Sequence, residues 1–418
     1  MGQTIIEKIL SRKSGRKVQA GDIVVAKVDF VMGQDGTSPL AINAFREMGG
    51  RALFNPSRVA LVIDHSAPSP TESVSNLHKL MRDFARETGC RLYDVGDGVC
   101  HQLMLESGVV GPGFLVIGAD SHTCTYGALN AFATGVGSTD LAAAMISGQM
   151  WFKVPPTLKF VCHGELPPGV YSKDLILHLI GRVTADGATY MAVEFTGEAI
   201  RALSMEGRFT IANMAVEMGA KAGLMEADEK TMGWLARYTR REFAPAAPDP
   251  DAVYERVVEI DAAALEPQVA RPHRVDNVVP LSEVGGLPVD EAVLGTCTNG
   301  RLEDLATAAA ILRGRRVAPS VRFIVAPASR RVYLEALRDG TLETLVQAGA
   351  AVVTPGCGPC VGTHNGVPAD GERVISTANR NFKGRMGNRN AEIYLASPAS
   401  VAAAAVTGEI TDPREFLK

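Results

Sequence analysis

The chain has 418 residues, a formal net charge of −4, 46% hydrophobic residues and 21% charged residues. That length suits two or three globular domains, and that composition is typical of an ordinary globular protein. The acidic balance excludes an extended basic surface, so we expect no nucleic-acid partner. The one basic run, at residues 8–17, is predicted to be a solvated turn after a first short helix.

No segment has the pattern of a leader or a membrane span. Residues 1–10 lack the long apolar core and the small-residue cleavage site of a signal peptide. No run of about eighteen apolar residues is present, so we expect a cytoplasmic protein with no membrane partner. Seven cysteines, an odd number in a long chain, suit reduced thiols or metal ligands better than a disulfide framework.

Apolar strand-like segments alternate with helical ones along the chain. Thr4 caps a first helix, and helical patterns follow at 75–89, 139–152 and 302–314. Short β-branched segments predict buried strands at 60–65, 114–120, 292–297, 321–327 and 350–356. This alternation predicts an α/β fold of parallel strands whose carboxyl ends deliver polar residues into a crevice.

Two breaks in this pattern divide the chain. Residues 154–160 interrupt the first α/β run, and the Pro/Ala-rich segment 242–255 is predicted to be a surface excursion. We therefore expect three α/β sub-domains, over residues 1–155, 156–272 and 285–418.

Three cysteines follow predicted strands: Cys297 after one, and Cys357 and Cys360 in a Cys-Gly-Pro-Cys segment after another. A redox dithiol is one interpretation, although the residues that follow form a poor helix. A zinc site with His364 as fourth ligand is a second. The third, which we favour, is a [4Fe–4S] cluster with three thiolate ligands and one open iron, able to bind a substrate hydroxyl and carboxylate.

Histidine–carboxylate pairs form a second group of candidate residues. Asp64-His65, His101 and the Asp120–His122 pair all come after apolar segments within about sixty residues of sequence. A carboxylate beside a histidine orients the imidazole and sets its protonation, as acid–base catalysis requires. One such pair is often structural, but the repetition favours a shared site.

A third group lies at residues 376–392, a segment dense in arginine and asparagine. Arg380 and Arg385 are five residues apart in a glycine-containing loop, and planar guanidinium groups bind carboxylates bidentately. The loop therefore suits a di- or tricarboxylic acid. Asn213 and Glu217 are predicted to share one helix face, four residues apart.

Taken together, these segments resemble the aconitase superfamily, and within it the large subunits of the two-chain isopropylmalate dehydratase/homoaconitase group. The resemblance covers nearly the whole chain. It rests on an ordered set of motifs: QDGTSPLA (34–41), IDH (63–65), CHQ (100–102), GADSHTCTYGA (118–128), NMAVEMGA (213–220), GTCTNGR (295–301), TPGCGPCVG (354–362) and NRNFKGRMG (379–387).

The resemblance implies a role for each matched position. It implies three cluster ligands, Cys297, Cys357 and Cys360, with Asn213 and Asn379 beside the cluster. It implies acid–base residues at Asp64, His65, His101, Asp120, His122 and Glu217. It implies substrate contacts at Gln34, Ser121, Arg380 and Arg385. The fold it implies is three aconitase-type α/β sub-domains around a central cluster, one cluster per chain.

The resemblance also implies a partner chain. Single-chain aconitases continue into a swivelling fourth domain with a serine base, whereas this sequence has no Gly-Ser-Ser-Arg-type segment. We therefore expect a separate small subunit that carries this domain, in a heterodimer or heterotetramer.

The implied reaction is isomerisation of a hydroxy-diacid by dehydration and rehydration, with isopropylmalate of leucine biosynthesis as the first expectation. Homocitrate-type and methylmalate- or dimethylmalate-type substrates are the alternatives. Within the site, His101 or His122 is the expected proton donor to the leaving hydroxide. A zinc-binding structural protein and an RNA-binding regulator are more remote alternatives.

Overall fold

Parallel strands dominate the architecture. In the structure, a computed structural model that describes residues 2–417, the strands are β1 (Ile23–Lys27), β2 (Phe30–Gln34), β3 (Val59–Val62), β4 (Arg91–Tyr93), β5 (Leu115–Gly118), β6 (Phe132–Gly135), β7 (Gln149–Lys153), β8 (Thr157–His163), β9 (Ala192–Thr196), β10 (Ala222–Leu224), β11 (Arg256–Asp261), β12 (Gln268–Ala270), β13 (Val278–Pro280), β14 (Glu291–Gly295), β15 (Arg322–Ala326), β16 (Ala351–Val352), β17 (Arg373–Ser376) and β18 (Glu392–Leu395).

Helices connect and cover these strands. The α-helices are α1 (Ile5–Ser14), α2 (Ser38–Glu47), α3 (Glu72–Thr88), α4 (Cys100–Glu106), α5 (Ser138–Ser147), α6 (Ser172–Val183), α7 (Glu198–Ala202), α8 (Met205–Asn213), α9 (Glu229–Leu235), α10 (Thr296–Asn299), α11 (Leu302–Leu312), α12 (Arg330–Arg338), α13 (Thr341–Ala348) and α14 (Pro398–Thr407). Short 3₁₀ helices occupy Pro56–Arg58, Ser121–Leu129, Met214–Met218, Ala262–Ala264, Leu281–Glu283, Gly358–Val361 and Pro413–Phe416.

The strands of residues 2–417 form three larger sheets in succession and one small ribbon. A five-stranded parallel sheet has the order β4-β3-β2-β5-β6, and a four-stranded parallel sheet has the order β10-β9-β8-β11. The seven-stranded sheet has the order β13-β12-β18-β17-β14-β15-β16, with β12 antiparallel to both neighbours. Strands β1 and β7 pair antiparallel. The predicted α/β fold class is therefore confirmed.

The three sheets share a buried core. A single hydrophobic cluster contains Met32 of the first sheet, Phe160 of the second and Val293 of the third, together with Cys297 and Cys360. The candidate cluster ligands therefore lie where the sheets meet, and burial of this apolar surface holds the sheets together.

Two predicted elements differ from the observed ones. The helix expected over 139–152 ends at Ser147, because Gly148 adopts a left-handed conformation with φ 68° and closes the last turn. The chain then continues as β7 rather than as helix. The strand expected at 350–356 is short, with only Ala351–Val352 paired to β15 before the chain turns toward the cysteines.

The basic run near the N-terminus is also different from the prediction. A Thr4–Glu7 capping box starts helix α1, which continues through residue 14. Most of the basic run is therefore helical. Lys13 pairs with Asp29 at 2.7 Å, and Arg12 donates to the carbonyl oxygens of residues 244 and 245. Side chains of the basic run therefore bind α1 to Asp29 and to residues 244–245, and the run is not a solvated turn.

The predicted sub-domain boundaries stay predictions. The sheets occupy residues 30–135, 157–261 and 268–395, so that β12 already pairs within the seven-stranded sheet. Within residues 2–417, no helix is both long and apolar enough to cross a bilayer.

Candidate active site

Three buried cysteines meet at one cavity of about 170 Å³. Cys297 lies in α10, directly after β14 ends. Cys357 precedes the 3₁₀ helix Gly358–Val361 that follows β16, and Cys360 lies within it. Their exposed fractions are 3%, 4% and 1%. The cavity is also lined by Gln34, His65, Val99, His101, Asp120, His122, Val361, Asn379, Arg380 and Arg385. The structure thus brings thiols, imidazoles, a carboxylate and guanidinium groups to one place.

Amide and guanidinium groups donate to the sulfur atoms. The side-chain nitrogens of Asn213 and Asn379 lie 3.4 and 3.5 Å from Cys297 Sγ, and an Arg385 nitrogen lies 3.2 Å from Cys360 Sγ. A hydrogen bond from the Cys357 thiol and the Arg385 charge hold the pKa of Cys360 well below its usual value. The donors to Cys360 favour thiolate, which is the form that binds metal, whereas burial raises the pKa of Cys297 to about 11.

His364 does not approach the cysteines. Its Nε2 lies 3.0 Å from the carbonyl oxygen of Ala67, and its Nδ1 lies 3.0 Å from the Thr363 hydroxyl. The four-ligand zinc site that includes this histidine is therefore not assembled. The Cys-Gly-Pro-Cys segment begins a 3₁₀ turn of four residues, without the long helix of a redox dithiol.

The donor set fits a group with three sulfur ligands. The three histidines that line the cavity are hydrogen bonded to carboxylates, and the three cysteines offer three sulfur ligands to the same cavity. Arg385 Nε is buried without a partner in the described structure, which suits an anion in the cavity.

Asp120 is the centre of the acid–base network. It caps the 3₁₀ helix after β5 by accepting from the His122 backbone N–H at 2.8 Å. Its carboxylate also lies 2.9 Å from His101 Nε2, 3.3 Å from His65 Nε2 and 3.4 Å from Gln34 Nε2. Burial alone would raise the pKa of Asp120, but His101 and the other partners outweigh burial and bring the pKa well below its usual value.

His65 lies between two carboxylates. Its Nδ1 is 2.9 Å from Asp64, and its Nε2 faces Asp120. Burial opposes protonation of this ring, but Asp64 and Asp120 outweigh burial and hold the pKa of His65 well above its usual value. Both neighbouring carboxylates therefore favour the protonated form of His65 at the cavity wall.

His122 connects Asp120 to a further carboxylate. Its Nδ1 lies 3.4 Å from Asp120 Oδ1. Its Nε2 lies 2.7 Å from Glu217, which also binds the Arg380 guanidinium at 2.8 Å. Arg380 in turn donates to the Ser121 hydroxyl at 2.9 Å. Burial alone would raise the pKa of Glu217, but the His122 hydrogen bond and Arg380 outweigh burial and lower it.

The expectation that Asn213 and Glu217 share one helix face is wrong. Helix α8 ends at Asn213, and Glu217 lies in the tighter 3₁₀ helix that follows. The change of helix type turns Asn213 toward Cys297 and Glu217 toward His122. Both residues still reach the site, on opposite sides of it.

Sequence reasoning missed Asp35. This buried carboxylate accepts backbone N–H groups from Asp64, His65 and Ser66 at 2.7 to 3.1 Å, and its other partner is His78 at 3.1 Å. Asp35 thereby fixes the loop that carries His65. The QDG motif was the available signal, since Asp35 stands beside Gln34 in it.

Fold and site define a class of protein: a three-sheet α/β chain with a three-cysteine centre surrounded by histidine–carboxylate pairs. The model of the aconitase family (aconitate hydratase) matches residues 7–286 and 282–408. The chain belongs to the aconitase family.

Curated relatives match over the full length of both chains. The chain is 56% identical to 3-isopropylmalate dehydratase large subunit 1 of Thermotoga maritima and 52% identical to large subunit 1 of Methanopyrus kandleri. It is 54% identical to large subunit 2 of Archaeoglobus fulgidus. Each alignment covers all of this chain and all of the relative.

A solved structure has the same fold. The chain superposes on Thermococcus kodakaraensis aconitase X in its holo-form with a TM-score of 0.50, covering 85% of this chain and 84% of that one. The two sequences are 11% identical, so this likeness concerns the fold alone.

Replacing Asp35 tests its support of the His65 loop. Asp35→Asn keeps the size of the side chain but removes its charge and replaces one acceptor oxygen with an NH₂ group. We therefore expect the loop to lose about 1–2 kcal/mol of local stability. Amide hydrogen exchange at His65 and Ser66 should rise about tenfold. Asp29→Asn is the matched control, because Asp29 accepts the Leu115 N–H at 2.7 Å elsewhere. Equal exchange at the loop in both variants would contradict the assigned role of Asp35.

Proposed function

We propose that the chain is the large subunit of a 3-isopropylmalate dehydratase, a cytoplasmic hydro-lyase of leucine biosynthesis. It would interconvert 2-isopropylmalate and 3-isopropylmalate by dehydration and rehydration. One observation carries this proposal: a single buried cavity joins three thiols, three histidine–carboxylate pairs and two arginines. Full-length similarity to proteins of that name supports the choice of substrate.

The cofactor in this proposal is one [4Fe–4S] cluster held by Cys297, Cys357 and Cys360. When bound, such a cluster supplies a Lewis-acid iron that polarises the C–O bond of the substrate. Asn213 and Asn379 would donate to the ligand sulfurs, as they do to Cys297. Donors of this kind tune a cluster and hold its ligands in place.

We propose His65 as the group that protonates the leaving hydroxide. We expected His101 or His122 for this role from sequence. His65 and His122 each lie between two carboxylates, but Glu217 beside His122 is also paired with Arg380. Geometry therefore favours His65, whose neighbours are Asp64 and Asp120. Both carboxylates stabilise the imidazolium, and Asp120 also connects it to His101. A proton given up at His65 can thus be replaced through the network.

Arginines and their polar neighbours would bind the substrate carboxylates. Arg380 is held by Glu217 and Ser121, so its remaining guanidinium edge has a fixed direction. Arg385 has an unpartnered buried Nε beside the cysteines. Gln34 lines the same cavity and is itself anchored to Asp120. Two fixed guanidinium groups suit the two carboxylates of a hydroxy-diacid.

The partner in this proposal is a small subunit that carries a swivel domain and a catalytic serine. The relatives are named large subunits, which implies a small one. A groove of about 560 Å³ adjoins the site at Asp120 and Ser121 and is lined further out by Trp151 and Tyr190. It gives a second chain an approach to the substrate. The assembly would be a heterodimer or heterotetramer.

Reconstitution tests the proposed function. The chain would be purified anaerobically with iron and sulfide, alone and together with the small subunit of the same organism. We expect 2-isopropylmalate to be converted only by the pair, as measured by absorbance of the unsaturated intermediate. Homocitrate and 2,3-dimethylmalate are the comparison substrates, and faster turnover of either would overturn the substrate assignment. Turnover by this chain alone would overturn the two-chain proposal.

Replacing His65 tests the proton donor. His65→Gln should lower kcat by about 10²- to 10⁴-fold, because a general acid contributes about that much, with KM changed little. His163→Gln is the control, since His163 pairs with Glu259 on the exposed surface. The pH profile of kcat should also lose the limb that reports the acid. A kcat close to that of the control would contradict this assignment and would favour His101 or His122 as the proton donor to the leaving hydroxide.

A further inference from the structure

Arg301 is a buried cation directly behind the candidate cluster ligands. It is 1% exposed and ranks among the largest fully buried side chains of the described chain. It lies between α10, the single helical turn Thr296–Asn299 that we call the Cys297 turn, and α11. Arg301 does not line the cavity. None of the roles assigned above uses it.

Its guanidinium group is hydrogen bonded on every nitrogen. One terminal nitrogen donates to the carbonyl oxygen of Cys297 at 2.8 Å, and the other donates to that of Thr298 at 2.8 Å. Nε donates to Gln102 Oε1 at 3.0 Å. A buried charge is costly unless it is hydrogen bonded, and each nitrogen of this guanidinium group has an acceptor.

These bonds join elements of the first and third sheet regions, and a cation–π contact adds the second. Gln102 stands on α4 immediately after His101, whereas the carbonyl acceptors belong to the Cys297 turn. The guanidinium also lies over the Phe209 ring of α8, 5.2 Å from its centroid. The Arg301 side chain therefore connects α4, the helix that carries His101, to the Cys297 turn.

The Gln102 end of this connection is itself fixed. Its Nε2 donates to Glu106 at 2.8 Å, and the same Glu106 oxygen accepts from the Ser329 hydroxyl at 2.8 Å. Gln102 thus presents its oxygen to Arg301 and its nitrogen to Glu106. It cannot rotate without losing both bonds.

We infer that Arg301 is a positioning residue that sets the Cys297 turn and the His101 helix at a fixed separation. The three nitrogens serve three acceptors in one plane, a task that suits guanidinium and not ammonium. The expected effect on turnover rests on the proposed function, whereas the expected effect on Cys297 does not.

Arg301→Lys tests this inference, because lysine keeps the charge but has one donor group at its tip. Arg208→Lys is the matched control: Arg208 is 2% exposed, and its partners Asp228, Thr231 and the Arg201 carbonyl lie away from the cysteines. Both variants would be prepared with the small subunit. Each would be studied in cluster-free and cluster-loaded forms.

In the cluster-free complex, alkylation of Cys297 by iodoacetamide should be about tenfold faster in Arg301→Lys than in wild type. Alkylation of Cys357 and Cys360 should be unchanged, and Arg208→Lys should match wild type at all three. In the loaded complex, kcat with 2-isopropylmalate should fall about tenfold in Arg301→Lys, with KM within about twofold.

Equal alkylation of Cys297 in the two lysine variants would overturn the inference, whatever the substrate proves to be. Gln102→Met covers the case in which Arg301→Lys does not fold. It removes the acceptor of Arg301 Nε and the Gln102–Glu106 bond but leaves both bonds to the Cys297 turn. We therefore expect kcat to fall about fivefold while Cys297 alkylation stays at the wild-type rate. Unchanged kcat in a folded Gln102→Met complex that turns over substrate would overturn the inference as well.

Discussion

Asp64 connects three parts of the site through three different atoms. Its Oδ1 faces His65 at 2.9 Å, and its Oδ2 accepts the Cys100 N–H at 2.7 Å at the start of α4. Its carbonyl oxygen accepts the Cys357 N–H at 3.0 Å. The position of one buried residue after β3 therefore fixes an imidazole, the His101 helix and the loop of two cysteines. Negative charge at the start of a helix is favourable, but burial outweighs this effect and raises the pKa of Asp64.

Charge compensation is the second constraint on this site. The cavity brings together acidic groups around Asp120 and thiols around Cys360, and such groups repel one another when ionised. Imidazoles separate the carboxylates, while Arg380 and Arg385 lie beside Glu217 and Cys360. Burial strengthens each of these interactions because the surroundings screen them weakly. Each anionic group of the site therefore has a cationic or hydrogen-bonding neighbour.

Much of this arrangement could be predicted from sequence, because local patterns such as a polar residue directly after an apolar strand indicate which side chains line the site. Cys297 and Asp120 both follow apolar strands, and the carboxyl ends of parallel strands deliver polar residues into a crevice. That β14 and β5 belong to different sheets was not predicted. The ordered motifs then favoured one family, which the comparisons confirm. The alternation of strands and helices gave the fold class.

The rest depends on contacts between residues distant in sequence. Asp35 acts on residue 65, and Arg301 acts on residue 102, across separations that a single sequence does not reveal. The break between α8 and the turn of Glu217 is another case, since periodicity alone does not distinguish an α-helix from a 3₁₀ helix that continues it. The end of α5 at Gly148 was readable in principle, because glycine commonly closes helices.

Three sheets converge on one cavity with three thiols, which we propose to be the ligands of one iron–sulfur cluster. An anomalous difference map at the iron absorption edge, from crystals of the anaerobically reconstituted complex, tests this arrangement. We expect an iron peak bonded to the sulfur atoms of Cys297, Cys357 and Cys360, with one iron not bound to cysteine. A peak at the zinc edge alone, or iron located away from these three sulfurs, would contradict it.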